Sequence, residues 1–239
     1  MNFRALLGTG IVVACHVLLV QVLPVQAKSL EAEPGFESNR CAPSMNQLAT
    51  AGCINQILSQ GRALVRQGNF AEALAFYQKA ANLTHNNARV YSAIGFLQAH
   101  QQDFQAAAAA YQKAIGLEPN NARFYYALGF SQAQLGDYNE AELAYRRAIE
   151  LTPMHADSHL SLGIVLARQG HHRRALLAYA TALALQPTNA AVYQAIGVAH
   201  QALGKHQEAT AFFDRAGQLS YSSRTLTERA ENGLMFDRK

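Results

Sequence analysis

Along the stretch ALGFSQAQLGDYNEAELAYRRAIELTP, from Ala127 to Pro153, apolar residues recur at helix-like intervals between polar ones. Small residues keep fixed places in that pattern: Gly129, Ala141 and Ala148, with Tyr145 between the alanines and Pro153 at the end. The arrangement is periodic. Gly61, Gly95, Gly129, Gly163 and Gly197 recur at one constant interval. Ala73, Ala107, Ala141, Ala175 and Ala209 follow each glycine by twelve. Tyr77, Tyr111, Tyr145, Tyr179 and Phe213 follow by sixteen, and Ala80, Ala114, Ala148, Ala182 and Ala216 by nineteen. A leucine ladder, Leu83 to Leu219, follows by twenty-two, and Pro119, Pro153 and Pro187 close the three middle units. A fixed period of this length is the signature of a stacked-repeat architecture.

Each unit reads as two helices. In the third unit they span about Ala122 to Leu135 and Tyr138 to Leu151. Gly136-Asp137 between them is a helix stop followed by an N-cap residue, as is Gly68-Asn69. Gln102-Asp103 keeps the cap and lacks the glycine. Proline ends the second helix because it has no backbone N–H and clashes with the preceding turn. A glycine within a helix costs about 1 kcal/mol against alanine, so five in register need a steric cause. The expected cause is close approach of the two paired backbones, with the aromatic ladder filling the wider part of the wedge.

This pattern resembles the tetratricopeptide repeat family. The resemblance rests on Tyr91…Ile94-Gly95, Tyr125…Leu128-Gly129, the step from Ala141 to Tyr145, and the closing prolines. It implies an all-α, right-handed solenoid of antiparallel helix pairs with units at 54–87, 88–121, 122–155, 156–189 and 190–223. The sequence departs from the family three residues after each glycine, where an aromatic is usual and Leu64, Gln98, Gln132, Leu166 and His200 stand. Residues 224–239 are expected to form a short polar cap helix, opened by the capping box Thr225 and Glu228.

The resemblance also implies that the first helices line a concave, partner-binding face. Its expected residues are Leu58, Arg62, Arg66, Arg89, Phe96, Arg123, Tyr126, Phe130, Leu160, Ile164, Arg168 and Val198. Phe96, Phe130, Ile164 and Val198 would form an apolar stripe with arginines beside it. That surface suits a protein or peptide segment that is apolar with some acidic residues. The co-chaperone members of the family clamp a C-terminal carboxylate with Lys and Asn; Leu58, Arg62, Ser92 and Phe96 hold those positions here. A non-catalytic scaffold for assembling a membrane or envelope complex is the implied role. The alternative is a structural homo-oligomer that uses the same groove.

Composition agrees with a packed, non-enzymatic chain. Half of the 239 residues are hydrophobic and 15% are charged, which excludes a disordered main body. A net charge of +4 without blocks of like charge does not point to nucleic acid. No phosphate loop, zinc-protease helix motif or nucleophile elbow is present, and no cofactor is expected. His155 and His159 stand four apart, but His159 fills a slot that holds tyrosine in neighbouring units, so packing explains it better than a metal.

Residues 1–27 differ from the rest. Arg4 precedes a mostly apolar run from Ala5 to Leu23, followed by Val25-Gln26-Ala27. They read as a cleaved signal peptide or an N-terminal anchor, with lipidation at Cys15 a further option; each places the repeats on the exported side. Residues 28–53 read as a tether and N-terminal segment. Cys41 and Cys53 form a candidate disulfide, provided that the helix breaks at Ala51-Gly52; an unbroken helix from Ser44 would hold them too far apart.

Overall fold

The computed structural model describes residues 47–236. They form ten helices: α1 Gln47–Arg66, α2 Phe70–Leu83, α3 Ala88–His100, α4 Phe104–Leu117, α5 Ala122–Leu135, α6 Tyr138–Leu151, α7 Ala156–Arg168, α8 His172–Leu185, α9 Ala190–Ala202 and α10 His206–Phe236. There is no strand among the described residues. Each helix packs on the next, and odd-numbered helices also touch the nearest odd-numbered neighbour along one wall from α3 to α9. The result is five helical hairpins stacked in sequence order. The expected helices of the third unit match α5 and α6 residue for residue.

The turn inside each hairpin has one geometry. Asn69, Asp103, Asp137, His171 and Lys205 each donate a backbone N–H to the carbonyl five residues back, at 2.8–2.9 Å. This closure needs a left-handed residue just before the donor. Gly68, Gly136, Gly170 and Gly204 supply it with φ of 74–86°. In the second unit Gln102 does so at φ 64°. A side chain in this region is strained by about 1 kcal/mol or more. Gln102→Gly is therefore expected to raise the melting temperature by about 1–3 °C, after subtracting the entropy that glycine adds to the unfolded chain. Thermal circular dichroism checks it.

The small-residue ladders are fully interior. Ala73, Ala107, Ala141 and Ala175 have no exposed surface. The glycine ladder serves a different contact from the one expected. A Cβ at Gly163 would lie 2.3 Å from the ring of Tyr179, one at Gly61 2.4 Å from Tyr77, and one at Gly197 2.6 Å from Phe213. Each glycine makes room for the aromatic sixteen residues later in its own hairpin. Backbone-to-backbone contact is not what the missing side chain permits. At Gly95 and Gly129 the distances relax to 3.0 and 3.1 Å.

Two boundary expectations change. α1 begins at Gln47 and runs unbroken through Ala51-Gly52, so the break there does not occur. Cys53 is disulfide-bonded; Cys41, its expected partner, lies outside the described residues, as does the whole of 1–46. At the other end no separate cap helix starts at Thr225. α10 continues from the fifth unit to Phe236 as one helix of 31 residues. Tyr221 stands where Pro119, Pro153 and Pro187 end earlier second helices, so no proline ring blocks continuation; its absence permits a longer helix without compelling one, since α2 ends at Leu83 with His85 at the same register.

Neighbouring hairpins are also joined by polar contacts. Glu142 on α6 accepts from Arg146 on its own helix and from Arg174 on α8 at 2.8 Å. Burial alone would raise the Glu142 carboxyl pKa, but the hydrogen bond from Arg146 and the charge of Arg174 outweigh it and hold the pKa low. Gln169 donates to Asn139 at 3.0 Å across the same junction. The departures from the family pattern have a cost: the buried Oε1 atoms of Gln98 and Gln132 and Nδ1 of His200 have no hydrogen-bond partner.

Candidate functional site

A cleft of about 560 Å³ opens on the wall formed by the first helices of units one to three. α1 contributes Leu58 and Arg62, α3 contributes Arg89, Ser92 and Ala93, and α5 contributes Arg123, Phe124 and Ala127. Tyr77 and Tyr111 reach it from α2 and α4, while Glu118 and Asn121 come from the connection before α5. The register of the repeat places the arginines there. Arg89 and Arg123 occupy the same position in successive first helices, six before their glycines, and Arg62 directly follows its own.

Local contacts fix the walls. Asn87 caps α3 by accepting from the backbone N–H groups of Arg89 and Val90, at 3.1 and 3.4 Å. Asn121 caps α5 by accepting from Arg123 N–H at 3.3 Å, and its amide donates to Glu118 at 3.1 Å. The Tyr77 hydroxyl donates to the Leu58 carbonyl at 3.4 Å. Burial pushes the Tyr77 phenol pKa up, and the nearby Arg62 charge offsets part of that.

Of the residues expected on the concave face, Leu58, Arg62, Arg89 and Arg123 meet in this cleft. Arg66 is exposed at the end of α1 and does not line it. Leu58 and Leu160 are corrected to core residues. Each is 7% exposed and belongs to a buried apolar cluster, although Leu58 also forms cleft floor.

The apolar stripe is corrected as well. Phe96 is half-buried against the N-terminal core and Ile164 against the C-terminal one. Phe130 packs edge-on against Phe104, the first residue of the preceding second helix, with ring centroids 6.0 Å apart. Phe130 is thus covered by the start of the preceding second helix, while Phe96 and Ile164 are partly covered by the cores beside them. Val198 alone of the four is exposed, at 37%. Tyr126 is partly covered by Tyr145 and His155, at 5.6 and 5.3 Å. Arg168 is exposed and its charge reaches Tyr179.

The two histidines behave as packing residues. His159 Nε2 lies 2.8 Å from the Pro153 carbonyl. Tyr125 and Tyr193, its counterparts, donate to the Pro119 and Pro187 carbonyls at 3.1 Å. His155 Nδ1 pairs with Ser158 Oγ at 2.8 Å. Among the described residues no group of three or more His, Cys, Asp or Glu could hold a metal ion. None of the described helices is long and apolar enough to cross a membrane. Ser92 takes part in the cleft and is legible from its register three before Gly95. Glu118 and Asn121 lie in a connection whose path periodicity does not specify.

Stacked hairpins with an arginine-lined cleft across three first helices define a helical-repeat protein of the protein-interaction type. A family model described as TPR repeat matches residues 61–102, 99–136 and 132–170. A second, described as tetratricopeptide repeat, matches residues 160–222. The chain belongs to the tetratricopeptide repeat family, and its fold is the right-handed α-solenoid of that family. Among solved structures, one crystal structure of MamA is 27% identical with a TM-score of 0.65, covering 69% of this chain and 96% of that one. Another of MamA is 26% identical with a TM-score of 0.66, covering 72% and 94%. YrrB, described as a TPR protein with an unusual peptide-binding site, shares the fold at 22% identity and a TM-score of 0.62, covering 77% and 98%. No curated protein sequence matches this chain.

Proposed function

We propose that the chain is an exported, non-catalytic adaptor. Its concave wall holds a peptide or helix of a membrane or envelope complex component during assembly of that complex. The observation that carries this reading is the cleft itself: residues from three successive repeats line one open concavity. Val198 adds one exposed apolar residue on a first helix further down the chain. Residues 1–27, by their sequence pattern, would deliver the repeats across a membrane or hold them at its outer side.

Self-association is the second reading, and it has its own observation. Ala109, Leu143 and Leu177 occupy one register on successive second helices, and the two leucines are 61% and 73% exposed. One experiment separates the two. A photo-crosslinking residue replaces Val198 in one variant and Leu177 in another, and each is irradiated in the native membrane fraction. The adaptor reading expects an adduct with a different protein from position 198 and none from position 177. An adduct only from 177, or only at twice the chain's own mass, overturns it.

A further inference from the structure

We infer that the fourth unit is an acid-sensitive joint of the solenoid: protons taken up by His171 and His172 loosen the α7–α8 hairpin, and the fifth unit opens with it. This goes beyond the adaptor reading and does not depend on it.

The first observation is register. Four of the nine histidines, His155, His159, His171 and His172, stand in the fourth unit, where the third has Asn121, Tyr125, Asp137 and Tyr138. The contrast is greatest where the second helix starts. The third unit has Asp137-Tyr138-Asn139-Glu140 there, and the fourth has His171-His172-Arg173-Arg174. α6 carries an acid in its first turn and α8 carries none. A helix start favours negative charge, and two arginines already oppose that preference. Each proton on the adjoining rings adds a further like charge.

The second observation is that neither ring has a place for the proton. Arg174 Nη1 lies 3.4 Å from His171 Nδ1. A guanidinium only donates, so this contact needs Nδ1 as the acceptor, whereas a protonated imidazole carries an N–H on both nitrogens. His172 is half-buried, and its Nδ1 is buried with no hydrogen-bond partner. On protonation that atom becomes a charged donor without an acceptor, which is costly in a buried position.

The surroundings offer no spare counter-charge. α6 presents Asn139 and Glu142 to this hairpin. The Glu142 carboxylate already accepts from Arg146 and Arg174. The last turn of α7 carries Arg168, and the acid of that helix, Asp157, lies in its first turn at the far end. α9 contains no Asp, Glu, Lys or Arg; its titratable side chains are Tyr193 and His200. Folding therefore gathers positive charge around His171 and His172, and unfolding disperses it. Stability is full above the imidazole range and falls as pH drops through about 6.5, where a free histidine titrates. Each unit of a solenoid is held by its neighbours. Among the described helices the fifth unit packs on the fourth, so it loses that support when the fourth opens, while units one to three keep theirs.

The test uses thermal melts of the full chain at pH 7.5 and pH 5.5. The unaltered chain should melt about 2–5 °C lower at pH 5.5. His171→Asp/His172→Tyr installs the residues of the third unit and should cut that drop by at least half. His171→Lys/His172→Lys holds the charge at both pH values, so it should melt low at pH 7.5 and lose little more at pH 5.5. Hydrogen exchange of the unaltered chain, corrected for the intrinsic rate at each pH, locates the effect. Exchange in α7 to α10 should quicken at least fivefold at pH 5.5, with α3 to α6 unchanged. An equal drop in the unaltered chain and the Asp/Tyr variant overturns the inference, as does protection lost first in α3 to α6. The exchange measurement needs no substitution, so it decides even where a variant does not fold. Neither outcome touches a position-198 adduct, and the adaptor reading fails or survives separately.

Discussion

Gly163→Ala should lower the melting temperature by about 4–8 °C, whereas Gly129→Ala should leave it nearly unchanged. Sequence periodicity treats these glycines as equivalent. Their surroundings differ. At Gly163 an added methyl would lie 2.3 and 2.5 Å from two ring carbons of Tyr179. That ring is 2% exposed and belongs to the buried C-terminal core. It has no open side to move into, so the overlap must push the α7–α8 pair apart. Overpacking of this kind costs about 1–3 kcal/mol, or more where the backbone must move. Alanine returns about 1 kcal/mol of helix propensity, leaving a net loss of up to about 2 kcal/mol. At Gly129 the nearest ring carbons of Tyr145 are 3.1 Å away. A shift of a few tenths of an ångström suffices there, and the propensity gain offsets it. Adding Tyr179→Leu to Gly163→Ala should recover stability beyond the sum of the single changes, as expected for residues in direct contact. Thermal melts of the four variants decide the matter. Equal losses at both glycines would show that ring clearance is not what these positions are for.

The unaltered chain should lose stability above about pH 10 faster than its Tyr179→Phe variant. Burial raises the Tyr179 phenol pKa well above its ordinary value, and the Arg168 charge reverses part of the shift. The neutral phenol is thus favoured in the folded state. The sign follows from linkage: with a raised folded pKa, stability is intact below the unfolded value, about 10, and is lost as pH climbs toward the folded value. While only the unfolded phenol is ionised, the slope is about 1.4 kcal/mol per pH unit. Between pH 8 and pH 11 the unaltered chain should therefore lose up to about 1.4 kcal/mol more than the phenylalanine variant. Tyr77, shifted in the same direction, is present in both chains and cancels from the difference. Urea denaturation at the two pH values measures the difference. Parallel losses would remove the buried Tyr179 phenol as the source.

Much of the fold was legible because helical hairpins obey short-range rules. Gly136 stops one helix by taking up the left-handed turn, although the Asp137 side chain makes no capping hydrogen bond to the next, and Pro153 stops a helix by its own ring. The bounds of α5 and α6 therefore followed from local chemistry, with glycine in four of the five turns and proline closing three of the units. The long α10 was not legible in this way: His85 in the first unit and Tyr221 in the last both replace the proline, yet only the last second helix runs on, and the capping box at Thr225 and Glu228 pointed to a new helix instead. A capping box marks a start only where the preceding chain has already stopped.

The site was only partly legible. The family resemblance put the first helices on the concave wall; register then put Arg89 and Arg123 at one position of successive first helices, and Arg62 one residue after its glycine. Register could not show that Phe130 turns to Phe104 of the preceding hairpin, or that Leu160 is buried. Those outcomes depend on the rotation between successive hairpins, which no single hairpin encodes.

By itself, then, the sequence determined the repeat, its helices, their turns and the face on which the arginines lie, since each depends on contacts within the span of a single repeat. Only the tertiary structure decided which of those residues remain open to a partner and why the glycines are there. Side chains such as Tyr179 and Phe104 fill space according to how hairpins stack, and that space exists only once the stack has formed.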